Sequence, residues 1–127
     1  MAHTIIYSPQ APNPVGPYSQ AVRAGNTVFV SGQVAFDAQG NWINESIEAE
    51  THQVMQNIRH ILAAAGLSLA HVAKVSIFLK NMDDFQRVNA VYSTYFEQNP
   101  PARETVQVSR LPKDVNIEIS CIAVVEG

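Results

Sequence analysis

The chain has 127 residues, 8 Lys+Arg against 11 Asp+Glu, a net charge of -3 and one cysteine, Cys121. At this length it forms one domain that buries roughly two thirds of the surface its unfolded chain exposes. The acidic balance gives no footprint for nucleic acid, and a lone Cys121 without ligand partners excludes an internal disulfide and a zinc site.

The first ten residues, MAHTIIYSPQ, hold no long apolar run. Neither a signal peptide nor a membrane span is expected, which makes a cytoplasmic protein the default. Residues 4–7 are a short β-prone run. Four prolines and a glycine between Pro9 and Pro17 then forbid regular structure and predict a stiff, extended loop that ends at Tyr18. A tyrosine on such a loop can wall a pocket, although a surface tyrosine is the commoner outcome.

Residues 20–24, a Gly25-Asn26 turn and TVFVSGQVAF read as a hairpin. Alternation sends Val28 and Val30 to one face and Thr27, Phe29 and Ser31 to the other. Gly32 permits a bulge or the close approach of a ligand. Residues 47–67 have helical spacing, with Val54, Ile58, Ile61, Leu62 and Ala65 on one stripe, Ser46 as N-cap and Gly66 as terminator. His52 and His60 lie on the polar face without a carboxylate or Cys at ligand spacing, which reads as a solvated face rather than a metal site.

Residues 71–80 predict a strand with Val75, Ile77 and Leu79 on one face. Asn81 caps a second helix whose stripe is Phe85, Val88, Tyr92, Tyr95 and Phe96, ended by Asn99-Pro100-Pro101. Residues 103–109 and 115–125 complete the sheet. The last strand has an apolar face of Ile117, Ile119, Cys121, Ala123 and Val125. Its opposite face carries Glu118, Ser120 and Ile122, which is no ordinary solvated face. The element order predicts an α+β fold with both helices on one side of a single sheet.

If Val106 and Val108 join the helix-facing set, the second face carries Phe29, Ser31, Ser76, Phe78, Arg103, Thr105, Glu118, Ser120 and Ile122. Arg103 and Glu118 would then sit on neighbouring strands of one face. A face that mixes phenylalanines with charges is expected to be covered by another subunit, with polar groups gathered in clefts. Paired Arg and Glu residues in a sheet are most often structural, so spacing alone leaves the catalytic reading of this pair open.

The strings GPYSQAV, VSGQ, NIRHILAAAG, VSIFLKNMDDFQRVNAVY, PAR and RLPKDVNIEI resemble, in this order and spacing, the RidA/YjgF family of enamine/imine deaminases over essentially the whole chain. The resemblance implies a chorismate-mutase-like (YjgF-like) fold, with one mixed sheet and two helices on one face. It further implies a homotrimer with a central barrel and active sites between subunits. It also implies hydrolysis of 2-imino acids, in equilibrium with 2-enamines such as 2-aminoacrylate, to 2-keto acids and ammonia. This 2-iminobutanoate/2-iminopropanoate deaminase chemistry needs no cofactor, metal, nucleic acid or membrane.

By the same resemblance Arg103 anchors the substrate carboxylate through two parallel hydrogen bonds, and Glu118 activates the attacking water. Tyr18, Ser31, Gly32 and Asn89 form the wall. Thr105 stands where many members have a cysteine, so thiol-dependent behaviour is not expected. Two other readings remain, a non-catalytic carboxylate-binding regulatory trimer and an RNA-cleaving translation inhibitor. The acidic charge speaks against the second.

Overall fold

The computed structural model describes residues 2–126. Among them the chain builds one six-stranded mixed sheet, in the order β1-β2-β3-β6-β4-β5, and two α-helices. The strands are β1 (Thr4–Ile6), β2 (Ala21–Ala24), β3 (Thr27–Gln33), β4 (Val72–Leu79), β5 (Ala102–Gln107) and β6 (Ile117–Val124). The helices are α1 (Ile47–Ala64) and α2 (Phe85–Tyr92). β4 and β5 run parallel, with α2 as their crossover, and every other pairing is antiparallel. The last strand in sequence is therefore central in space.

Local signals explain where α1 begins and ends. Ser46 is extended (φ -160, ψ 164), and its hydroxyl accepts the Ala49 N–H at 3.0 Å, satisfying an amide with no partner inside the helix. Gly66 takes φ 75 after the helix. The Leu67 and Gly66 amides close back onto Leu62 and Ala63 at 2.9 Å each, which is the Schellman arrangement. The expected stripe of Val54, Ile58, Ile61 and Leu62 is buried against Val28, Val30, Val75, Ile77, Leu79, Ile117 and Ile119.

The second helix is shorter than its apolar pattern suggests. Asn81 accepts the Asp83 amide at 2.9 Å, but it caps a 3-10 turn, Met82–Asp84, that leads into α2. α2 ends at Tyr92, and Tyr95 and Phe96 pack against the core from the turn beyond it. The two helices are tied by Arg87, whose Nε and Nη2 donate to Glu48 at 2.8 and 2.6 Å.

Two buried polar side chains of α1 hold loops in place. Asn57 donates to the Val34 and Phe36 carbonyls at 3.1 and 2.9 Å, which sets the chain that leaves β3. Glu50, 1% exposed, accepts from the backbone and side-chain amides of Asn116, just before β6 begins.

The phase of β5 differs from the sequence expectation. Arg103 pairs with Val75 and Thr105 with Ile77, so both turn to the helix side of the sheet. Val106 pairs with Phe78 and lies on the outer face, 42% exposed. Arg103 and Glu118 are not on neighbouring strands either, because β4 runs between β5 and β6. The outer face nonetheless keeps its apolar character through Phe29, Phe78, Ile122 and Val124.

Candidate functional site

The seven residues singled out from sequence fall into two groups. Tyr18, Ser31, Gly32 and Glu118 gather where β3 meets β6 beneath the proline loop. Arg103, Thr105 and Asn89 gather where the edge strand β5 meets α2. Arg103 and Glu118 face opposite sides of the sheet. From the registers Arg103↔Val75 and Phe78↔Glu118, they lie roughly 10 Å apart across the strands and roughly 10 Å along them. No ion pair joins them among the described residues.

The first group opens on a cavity of about 310 Å³ lined by Tyr18, Gly32, Phe36, Lys113 and Glu118, among others. The pairing of β3 with β6 slips between Val30 and Gln33, so a bulge falls at Ser31-Gly32, where the sequence permitted one. The bulge brings the Gly32 backbone under Glu118. A Cβ on Gly32 would lie 2.5 Å from Glu118 Oε2 and 2.7 Å from its Cδ, so only glycine leaves the carboxyl where it is. Burial alone pushes the Glu118 carboxyl above its ordinary 4.5, because the charged form is half desolvated with nothing opposite to offset it.

Tyr18 is half exposed, and its ring rests on Gly16, where an added Cβ would come within 3.3 Å of it. Ser31 does not line the cavity. Its hydroxyl donates to the Ser19 carbonyl at 2.6 Å and its amide to the Gln20 carbonyl at 2.9 Å, fastening the base of the loop to β3.

The second group is organised around the Arg103 guanidinium, whose central carbon lies 4.9 Å from the Tyr92 ring centroid and 5.8 Å from that of Phe85. Both contacts are within cation–π range. Asn89 lies between Phe85 and Tyr92 on the same helix face. Thr105 Oγ1 and Tyr92 OH are buried without a hydrogen-bond partner among the described residues. Burial lifts the Tyr92 phenol to about 12, so it stays a neutral donor. Cys121 is buried on the helix side, as its odd-numbered neighbours predict, and burial lifts its thiol to about 12.

The Endoribonuclease L-PSP family model matches residues 8–125. The chain belongs to this family, the RidA/YjgF family of the motif resemblance. A RutC family protein of Pyrococcus horikoshii is 51% identical over 120 residues, which covers 94% of this chain and 95% of that protein. A 2-iminobutanoate/2-iminopropanoate deaminase of Dermatophagoides farinae is 42% identical over 123 residues, 96% of each chain. The crystal structure of E. coli TdcF with bound serine superimposes with a TM-score of 0.93 at 38% identity, covering 97% of this chain and 99% of that one.

Sequence reasoning missed two side chains that shape the RidA/YjgF cavity here. Gln20, 2% exposed, accepts the Ser8 amide at 2.7 Å and donates to the Ser8 and Pro12 carbonyls at 3.1 and 3.0 Å. A loop with four prolines is poor in amides to satisfy its own carbonyls, and that shortage was the signal for an outside donor. Lys113 lies on the cavity rim with Nζ 4.5 Å from the Phe36 ring centroid. It sits in the RLPKD turn, which sequence marks only as a connection.

Proposed function

We propose that the protein is a hydrolytic deaminase of reactive 2-imino acids and their 2-enamine tautomers, working as a homotrimer with its sites between subunits. The observation that carries this reading is Glu118, a half-desolvated carboxyl seated on Gly32 inside a cavity, with nothing offsetting its charge. Such a group accepts a proton from water more readily than an ordinary exposed carboxylate.

The reaction balances on one water. Its oxygen adds to C2 of the protonated imine while Glu118 takes a proton from it. The proton then returns to nitrogen, the C–N bond breaks as the new hydroxyl passes its proton to the departing ammonia, and a 2-keto acid and ammonium result. The iminium carbon is already electrophilic, so placement and modest acid–base help supply the needed rate.

Arg103 is the candidate anchor for the substrate carboxylate, since its guanidinium, held near the Tyr92 and Phe85 rings, offers two parallel donors. A carboxylate-bearing ligand is consistent with the serine bound by TdcF, and the chemistry with the name of the Dermatophagoides relative. Arg103 and Glu118 cannot meet one small molecule within a single chain, so the reading takes each from a different copy. The apolar outer face supports a covering partner, because Phe29 is still 46% exposed there and burying the remainder contributes on the order of 1 kcal/mol. The endoribonuclease description of the family finds little support in a chain of net charge -3.

The test generates an imino acid in situ with an amino acid oxidase and traps what remains with semicarbazide. The protein should lower the trapped semicarbazone, and Arg103→Ala should abolish the effect. No acceleration by wild type, or full activity in Arg103→Ala, would contradict the reading.

A further inference from the structure

The RLPKD turn does more than connect β5 to β6. Leu111 and Val115 are buried and anchor its ends. Between them Lys113 (φ 58, ψ 19) and Asp114 (φ 56) are both left-handed, a conformation uncommon for lysine and more readily taken by aspartate. Asp114 is engaged by Arg110, whose Nε and Nη2 donate to its two oxygens at 2.7 and 3.0 Å. The backbone thus separates two adjacent charges. The acid turns to Arg110, and the cation turns to the cavity.

Lys113 Nζ lies 4.5 Å from the centre of the Phe36 ring, and no carboxylate of the described residues is within ion-pair distance of it. It is not spent on Glu118 either, since burial alone accounts for that carboxyl's shift. The cavity between the two is walled by Val34, Phe36 and Pro112. At about 310 Å³ it reaches the range of pockets that enclose drug-sized ligands. An imino acid of three carbons leaves most of that space unused. A longer substrate with C2 beside Glu118 extends past an apolar wall to an unpaired ammonium.

We propose that Lys113 is a specificity-determining residue that recognises an anionic group at the far end of the substrate side chain, so that the site takes 2-imino acids of the dicarboxylic class. The proposal rests on the deaminase reading and names the substrates within it. Lys113 is exposed on the cavity rim, so its ammonium is free to turn from the Phe36 face to a carboxylate entering the cavity.

The experiment compares two imines made in situ by oxidases, one from glutamate and one from alanine, with semicarbazide trapping. Wild type should hydrolyse both. Lys113→Met should lower the ratio of kcat/KM for the glutamate-derived imine to that for the alanine-derived imine by about tenfold or more, as loss of one charge-assisted contact does. Lys113→Arg should retain most of the ratio. An unchanged ratio in Lys113→Met overturns the proposal, and so does a wild type that clears only the alanine-derived imine. A wild type that clears neither overturns the deaminase reading itself.

Discussion

The Glu118 carboxyl rests on the backbone of Gly32, so close that a methyl group on Gly32 would fall 2.5 Å from Oε2. Residue 32 therefore sets the position of the group assigned to activate water. Gly32→Ala should lower kcat by about 10–100-fold, the scale on which a misplacement of about 1 Å acts. Thermal unfolding should change far less than activity. In Gly32→Ala combined with Glu118→Ala the two losses should fail to add, because the first acts through the second.

Gln20 clasps the proline loop that carries Tyr18. Gln20→Leu keeps the approximate volume and leaves the Ser8 amide and the Pro12 carbonyl without a partner, while the Ser8 carbonyl keeps only the Ala11 amide at 3.3 Å. The expected cost is roughly 2–4 kcal/mol, because buried polar groups left unpaired lose their full solvation. Denaturant unfolding checks the number. Protease cleavage within residues 9–17 should become fast in the variant at a temperature where wild type resists.

Glu118 has its carboxyl pushed up from 4.5 by burial. A raised carboxyl favours the protonated folded state, so its contribution to stability is complete below the unfolded value and is lost as pH rises through the folded one. Glu118→Gln should therefore be more stable than wild type at neutral pH, read as a higher Tm. The gain should vanish below 4.5. If the ionised form is the base, as proposed, kcat/KM of wild type should fall on the acid side with a midpoint above 4.5.

Phe29 is 46% exposed on the outer face beside Ile122 and Val22. Phe29→Glu leaves the helix-side core untouched and places a charge where the reading buries the sheet face. Solution mass measurement should show monomer, and imine hydrolysis should fall with the loss of the assembly. A fully active monomer would remove the shared site from the account.

Much of this was legible because it is local. Ser46 and Gly66 bound α1 by capping chemistry, and the odd-numbered residues of β6 alternate cleanly from Ile117 to Ala123. Gly32 marked its bulge. The phase of β5 was not legible, because ARETVQ carries one strong apolar residue, Val106. On a half-covered edge strand, pairing with β4 rather than hydrophobicity decides which face Val106 takes. The same non-local pairing puts β4 between Arg103 and Glu118, so the supposed neighbouring pair lies on opposite faces two strands apart. Lys113 escaped notice because its left-handed backbone is imposed by the anchored turn around it and not by its own preference.

The central claim is that Arg103 of one copy and Glu118 of another act on one imino acid, and subunit mixing tests it most directly. Arg103→Ala should be inactive alone, and Glu118→Ala should keep only a small residual activity. When the two are co-refolded in equal amounts, random assembly should restore about one quarter of wild-type activity, because that share of interfaces pairs an intact Arg103 with an intact Glu118 across two chains. Mixed assemblies that form but stay inactive would contradict the claim.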